Sequence, residues 1–185
     1  MLRCSVRVFD TPQLATAAAG DAFINGVSEF SMRLAGVAAG HTMKPVYDHL
    51  ISPEARSSGL FSRTAFVQLD EVVSPVRGDA NFSEEIDRHL LSKLSGGYRK
   101  FLVINGQTNQ PDIEAKRHRA AIIENGGLGV QLLGIGVNGH VGFNEPGCET
   151  DSRCRVTELA MSTLERNGYP LARARSPLTL RRSRP

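Results

Sequence analysis

Short β-rich apolar runs alternate with longer helical stretches along most of this chain, and that alternation restricts it to a small set of folds. "SVRVFD" (5–10) reads as a strand, and "TPQLATAAAGDAFINGVSEF" (11–30) as a helix with Thr11 as N-cap and Pro12 in the first helical position. "RLAGVAAG" (33–40) is a second strand, followed by a helix over "KPVYDHLI" (44–51) with Val46, Leu50 and Ile51 at helical spacing. "TAFVQLD" (64–70) and "KFLVIN" (100–105) are the third and fourth strands, each leading into a helix, over 81–94 and 112–127; Gly126 and Gly127 stop the second of these. "GVQLLGIG" (129–136) is the fifth. Crossover helices between successive strands predict an α/β, doubly wound, mainly parallel sheet with helices on both faces, Rossmann-like in arrangement. No repeat or long linker divides the 185 residues.

In such sheets ligands bind outside the carboxyl ends of the strands. Three of those ends carry chemically useful residues. After the second strand, "AAGHT" places Gly40, His41 and Thr42 at the start of a helix, where backbone N–H groups suit an anion, although an ordinary strand–helix turn has the same composition. The third ends in Asp70 and Glu71, of which a regular strand would turn only one toward the cleft as a base, the other reading being a solvated loop acid. The fifth runs into "GVNGHVGFNEPG" (136–147), where glycines let the backbone approach a ligand and His140 can titrate near neutrality. Glu145 could pair with that imidazole, while the same residues also suit a glycine-rich turn with a surface histidine.

Composition narrows the partners. The excess of positive charge, net +3, is concentrated in Arg173, Arg175, Arg181, Arg182 and Arg184, and without them the rest is mildly acidic, which argues against a nucleic-acid surface. No apolar run reaches the roughly 20 residues of a membrane span, and the first ten residues lack a secretory apolar core, so a cytoplasmic protein with no membrane partner is expected. Cys4, Cys148 and Cys154 have no metal-ligand spacing and read as free thiols.

The segment "LGIGVNGHVGFNEPG" closely resembles the signature of the glucosamine-6-phosphate deaminases, within a wider set that includes galactosamine-6-phosphate isomerases and 6-phosphogluconolactonases. "AGHTMKPVYDHLI", "FVQLDE" and "DSRCRVTELAMST" are similar, in the right order, to that family's phosphate turn, its Asp-Glu strand and its Ser-Arg-Thr-Arg segment. The resemblance implies conversion of glucosamine 6-phosphate to fructose 6-phosphate and ammonia without cofactor or metal. Asp70 would move a proton between C2 and C1, and His140 would act at the ring oxygen with Glu145 holding its ring. Asn138 would support that group, and Gly40, His41 and Thr42 would bind the 6-phosphate. Galactosamine 6-phosphate is an alternative substrate, a non-catalytic sugar-phosphate-binding protein an alternative role, and a homo-oligomer is left open.

Two departures from the family pattern shape the expectations. The phosphate turn carries His41 and Met43 where the family has small residues and a proline. Residues 1–168 are expected to form the family domain, incomplete at its C-terminal end and lacking the final strands. The Arg/Pro-rich segment 169–185 is expected to be a disordered tail, and the chain alone to turn over weakly or not at all.

Overall fold

The computed structural model describes residues 4–53, 59–73, 81–149, 152–167 and 175–177. Four strands form a parallel sheet in the order β3-β2-β1-β4: β1 is Leu34–Val37, β2 Ala65–Gln68, β3 Lys100–Leu102 and β4 Leu128–Gln131. The connecting helices are α1 (Pro12–Glu29) before β1, α2 (Met43–Leu50), α3 (Phe82–His89) and α4 (Pro111–Glu124). After the sheet come β5 (Val156–Glu158), α5 (Met161–Asn167) and β6 (Arg175–Pro177), with β5 and β6 paired antiparallel. β6 lies within the segment expected to be a disordered tail; 169–174 and 178–185 lie outside the described residues.

Strand side chains alternate between two cores, which is why helices are needed on both faces. Ala35 and Phe66 pack with Phe23 and Val27 of α1, Tyr47 and Leu50 of α2, and Ile86 of α3. Leu34, Ala65, Val67 and Leu102 pack with Ile122 of α4 on the other face. Local signals set the helix boundaries. Thr11 accepts a hydrogen bond from Leu14 N ahead of Pro12, and Asn81 caps α3 through Ser83 N and Glu84 N. A third, smaller cluster, Phe143 with Leu159 and Leu164, ties the segment after β4 to the start of α5.

Two expected strands differ. Residues 4–9 make no strand pairing among the described residues, and Val6 and Val8 are 83% and 90% exposed. Their alternation supplies a strand pattern without a neighbouring backbone to complete it. The strand expected over 129–136 stops at Gln131, because Leu132 N makes the last bond to β1, at Gly36 O, before β1 itself turns away. Ile135 instead bridges Val141, folding the following residues into a compact loop. No helix among the described residues is long and apolar enough to cross a membrane.

Candidate active site

The carboxyl ends of β1, β2 and β4 bring together the segments singled out from the sequence. Beyond β2, Asp70 and Glu71 turn in different directions. Glu71 accepts bonds from Gln68 Nε2 at 2.8 Å, Val72 N at 3.1 Å and Phe82 N at 3.0 Å, tying the start of α3 to the end of β2. Burial raises the Glu71 pKa, partly offset by these bonds. Asp70 is buried without such support among the described residues: burial, and then the charge of Glu71, push its carboxyl up to about 7.

The loop after β4 brings the imidazole to the same rim. Gly142, at φ +59°, lies against the β2 end, and a Cβ there would fall 3.2 Å from Leu69 Cδ2 and 3.6 Å from Asp70 Oδ2. The carboxylate and the segment bearing His140 are therefore in direct apposition. Gly136 explains the ring's placement. A Cβ on it would lie 2.2–2.5 Å from His140 Cε1, Nε2 and Nδ1, so the imidazole sits flush on this backbone only because no side chain intervenes. Gly136 N also donates to His140 O at 2.8 Å, closing the turn.

His140 Nδ1 is 2.7 Å from Asn138 Oδ1, an oxygen that also accepts from His140 N at 3.1 Å. With the amide oriented in this way, Nδ1 carries a proton, and in the neutral ring the lone pair is on Nε2. Asn138 Nδ2 in turn donates to Glu145 Oε2 at 2.7 Å. Glu145 acts on the imidazole chiefly through this amide, its own Oε2 being 3.7 Å from Nδ1. Burial works to raise the Glu145 pKa, but bonds from Thr163, Asn138 and Ala160 N, with the neighbouring His140, outweigh it and hold the carboxyl below its ordinary value. The result is a fixed line of charge, amide and ring.

The β1–α2 turn is built differently. His41 and Thr42 are exposed, Thr42 makes no side-chain cap, and Gly40 N donates to Glu85 Oε1 of α3 at 3.1 Å. Tyr47 stands beneath this turn, its hydroxyl bonded to both the N–H and the carbonyl of Ala38. Among the anticipated residues, Asn138, His140 and Glu145 form one hydrogen-bonded set on a loop whose Gly142 lies against Asp70, while Gly40, His41 and Thr42 occupy the neighbouring strand end.

Sequence reasoning missed Glu85 and Thr163. Thr163 contacts His140 Nδ1 at 3.3 Å and also bonds Glu145. Its signal lies in "AMST", at the end of the Ser-Arg segment. Glu85 reads in sequence as an ordinary helix acid and offers no signal. The three cysteines are free thiols, and burial pushes Cys154 up to about 12. A cleft of about 500 Å³ lies at the opposite, amino-terminal rim, lined by Met32, Ser62, Arg63, Thr64 and Arg99 among others.

No protein-family model matches this chain. Over 150 residues it is 33% identical to the glucosamine-6-phosphate deaminase of Geobacillus sp. (strain WCH70), covering 80% of this chain and 60% of that protein. Over 134 residues it is 37% identical to glucosamine-6-phosphate deaminase 1 of Giardia intestinalis, covering 71% of this chain and 50% of the relative. The chain thus spans about three fifths of the length of the curated relatives it matches. The structure superposes on a monomeric glucosamine-6-phosphate deaminase with a TM-score of 0.80 at 24% identity, over 95% of this chain and 76% of that one. It also superposes on 6-phosphogluconolactonase from Trypanosoma brucei at TM-score 0.70 and 15% identity, over 97% and 77% of the two chains.

Proposed function

The chain belongs to the glucosamine-6-phosphate deaminase family, and from that membership we propose that its carboxyl-rim site isomerises and deaminates a phosphorylated 2-amino sugar, with glucosamine 6-phosphate as the substrate. The observation that carries the reading is that two groups of complementary proton chemistry lie at one rim, with Gly142 of the His140 loop set against Asp70. One is a buried Asp70 whose pKa lies near neutrality, and the other is a His140 ring held by Nδ1 with Nε2 left to accept a proton.

The chemistry follows from those positions. Ring opening needs a proton delivered to the ring oxygen and one taken from the C1 hydroxyl, work suited to an imidazole of fixed tautomer. Asp70, once ionised, removes the C2 proton; that electron pair forms a C1–C2 double bond while the C1 carbonyl pair moves to O1, which takes up a proton from solvent. Return of the first proton to C1, with the nitrogen lone pair closing a C2–N double bond and an N–H proton passing to solvent, leaves an imine at C2 and a hydroxyl at C1. Water adds to that carbon and ammonia departs, giving fructose 6-phosphate. A carboxyl near pKa 7 both accepts and returns a proton at neutral pH without a large driving-force mismatch. Asn138, Glu145 and Thr163 position the ring, and the Gly40–Thr42 turn would receive the phosphate and thereby set which carbon faces Asp70.

Ammonia release from glucosamine 6-phosphate by the full chain, compared with its Asp70→Asn variant, tests the proposal. Release that depends on Asp70 supports it; binding of the phosphosugar with no release points instead to a non-catalytic sugar-phosphate-binding role. A higher kcat/KM with galactosamine 6-phosphate would reassign the substrate to that epimer.

A further inference from the structure

We propose that Glu85 is a specificity-determining residue that masks the anion-binding turn: its carboxylate occupies, from within the chain, the Gly40 N–H on which a substrate phosphate would rest. The inference rests on the reading above that the β1–α2 turn faces the sugar's 6-phosphate.

The placement of Glu85 is fixed by the fold rather than by a surface side chain's chance position. α3 is held at its start by the Asn81 cap and by the bonds from Phe82 N to Glu71, and the next residue along, Ile86, is fully buried. Glu85 is thus presented to a turn 45 residues earlier in the chain, with its Oε1 3.1 Å from Gly40 N. Tyr47 locates it relative to the chemistry. Its hydroxyl bonds Ala38 just past β1, and β1 pairs in parallel with β2 through Val37 and Gln68, so the turn that Glu85 reaches and Asp70 follow neighbouring strand ends. Glu85 therefore shares the rim with the proposed base.

A carboxylate on the Gly40 N–H, in the turn that leads into α2, is an internal version of the anion such exposed N–H groups attract. Among the described residues the space beside it is open, for a Cβ on Gly40, whose φ is +121°, would meet nothing within 4 Å. A phosphate dianion arriving there meets a like charge already bonded to the donor it needs, and must displace it. Its apparent affinity is reduced by the fraction of molecules in which Glu85 has let go. A ligand with a hydroxyl at the same position carries no such penalty, since a hydroxyl can donate to the carboxylate.

The test is calorimetric titration of inorganic phosphate, and separately of glucosamine 6-phosphate, into the full chain and its Glu85→Gln, Glu85→Ala and Asp87→Asn variants. Both Glu85 variants are expected to bind inorganic phosphate roughly tenfold more tightly than the unaltered chain, with Asp87→Asn, which removes an exposed charge from the same helix, within about twofold. Unchanged or weaker phosphate binding in both Glu85 variants overturns the inference, as does an equal gain from Asp87→Asn. The two readings separate cleanly. Tighter phosphate without ammonia release from glucosamine 6-phosphate sustains the mask and sinks the proposed reaction; Asp70-dependent release with no change in phosphate affinity does the reverse.

Discussion

The two rims of the sheet are made from the same kind of parts, short turns joining strands to helices, yet they differ in what those turns hold. At the amino-terminal rim the cleft beside Thr64 and Arg99 is roomy, and some of its polar groups serve the turns themselves. Thr64 Oγ1 donates to Leu60 O, and Arg99 N to Thr64 O. At the carboxyl-terminal rim buried carboxyls are displaced from their ordinary pKa in opposite directions, Asp70 upward and Glu145 downward. Opposed shifts in neighbouring acids mark the rim where protons can be exchanged.

The contrast can be broken most severely at Asp70. Asp70→Asn is expected to lower kcat for ammonia release by roughly a thousandfold, because no other acid replaces the proton carrier. The unaltered chain's rate is expected to rise with pH through about 7 as Asp70 ionises. Stability should move the other way. The folded carboxyl titrates near 7 against an ordinary 3.8, so the native state binds the extra proton, and stability falls as pH rises between those values. Asp70→Asn removes that slope, and at pH 8 denaturant melts should find it more stable by on the order of 4 kcal/mol.

Gly136→Ala should come next. Its methyl group would occupy the place of the imidazole, so kcat is expected to fall by roughly a hundredfold, with a lower melting temperature as the loop shifts. Glu145→Gln keeps the shape of the Asn138 contact but removes its charge, and a loss of about tenfold in kcat with little change in KM would identify a positioning role. Thr42→Ala, at the exposed turn, is expected to raise KM a few-fold and leave kcat alone. Arg99→Ala at the opposite rim should change neither constant. A loss there comparable to that of Glu145→Gln would erase the distinction between the rims.

Much of this arrangement was legible in the chain because its signals are local. The alternation of strand and helix, the Thr11 and Pro12 start, and the glycine-rich run carrying Asn138, His140 and Glu145 all lie within windows of a turn or two. What escaped depends on partners far away. The pattern of "SVRVFD" describes a strand face but cannot say whether a neighbour exists, and the length of β4 is set by where β1 turns off. Glu85 and Gly40 are separated by a strand and two connections, so no reading of the Glu-rich α3 start could reveal their contact. The insertion of Asn138 between Glu145 and His140 was likewise invisible, since spacing along a loop does not specify which side chains lie between two others in space.

The close seating of the His140 ring on bare backbone has a consequence for timing. A histidine free to sample several rotamers must lose that freedom each time a sugar arrives, subtracting from affinity or rate at every cycle. Here the freedom is surrendered once, when the chain folds, so the direction of its vacant lone pair is an inherited property of the polypeptide.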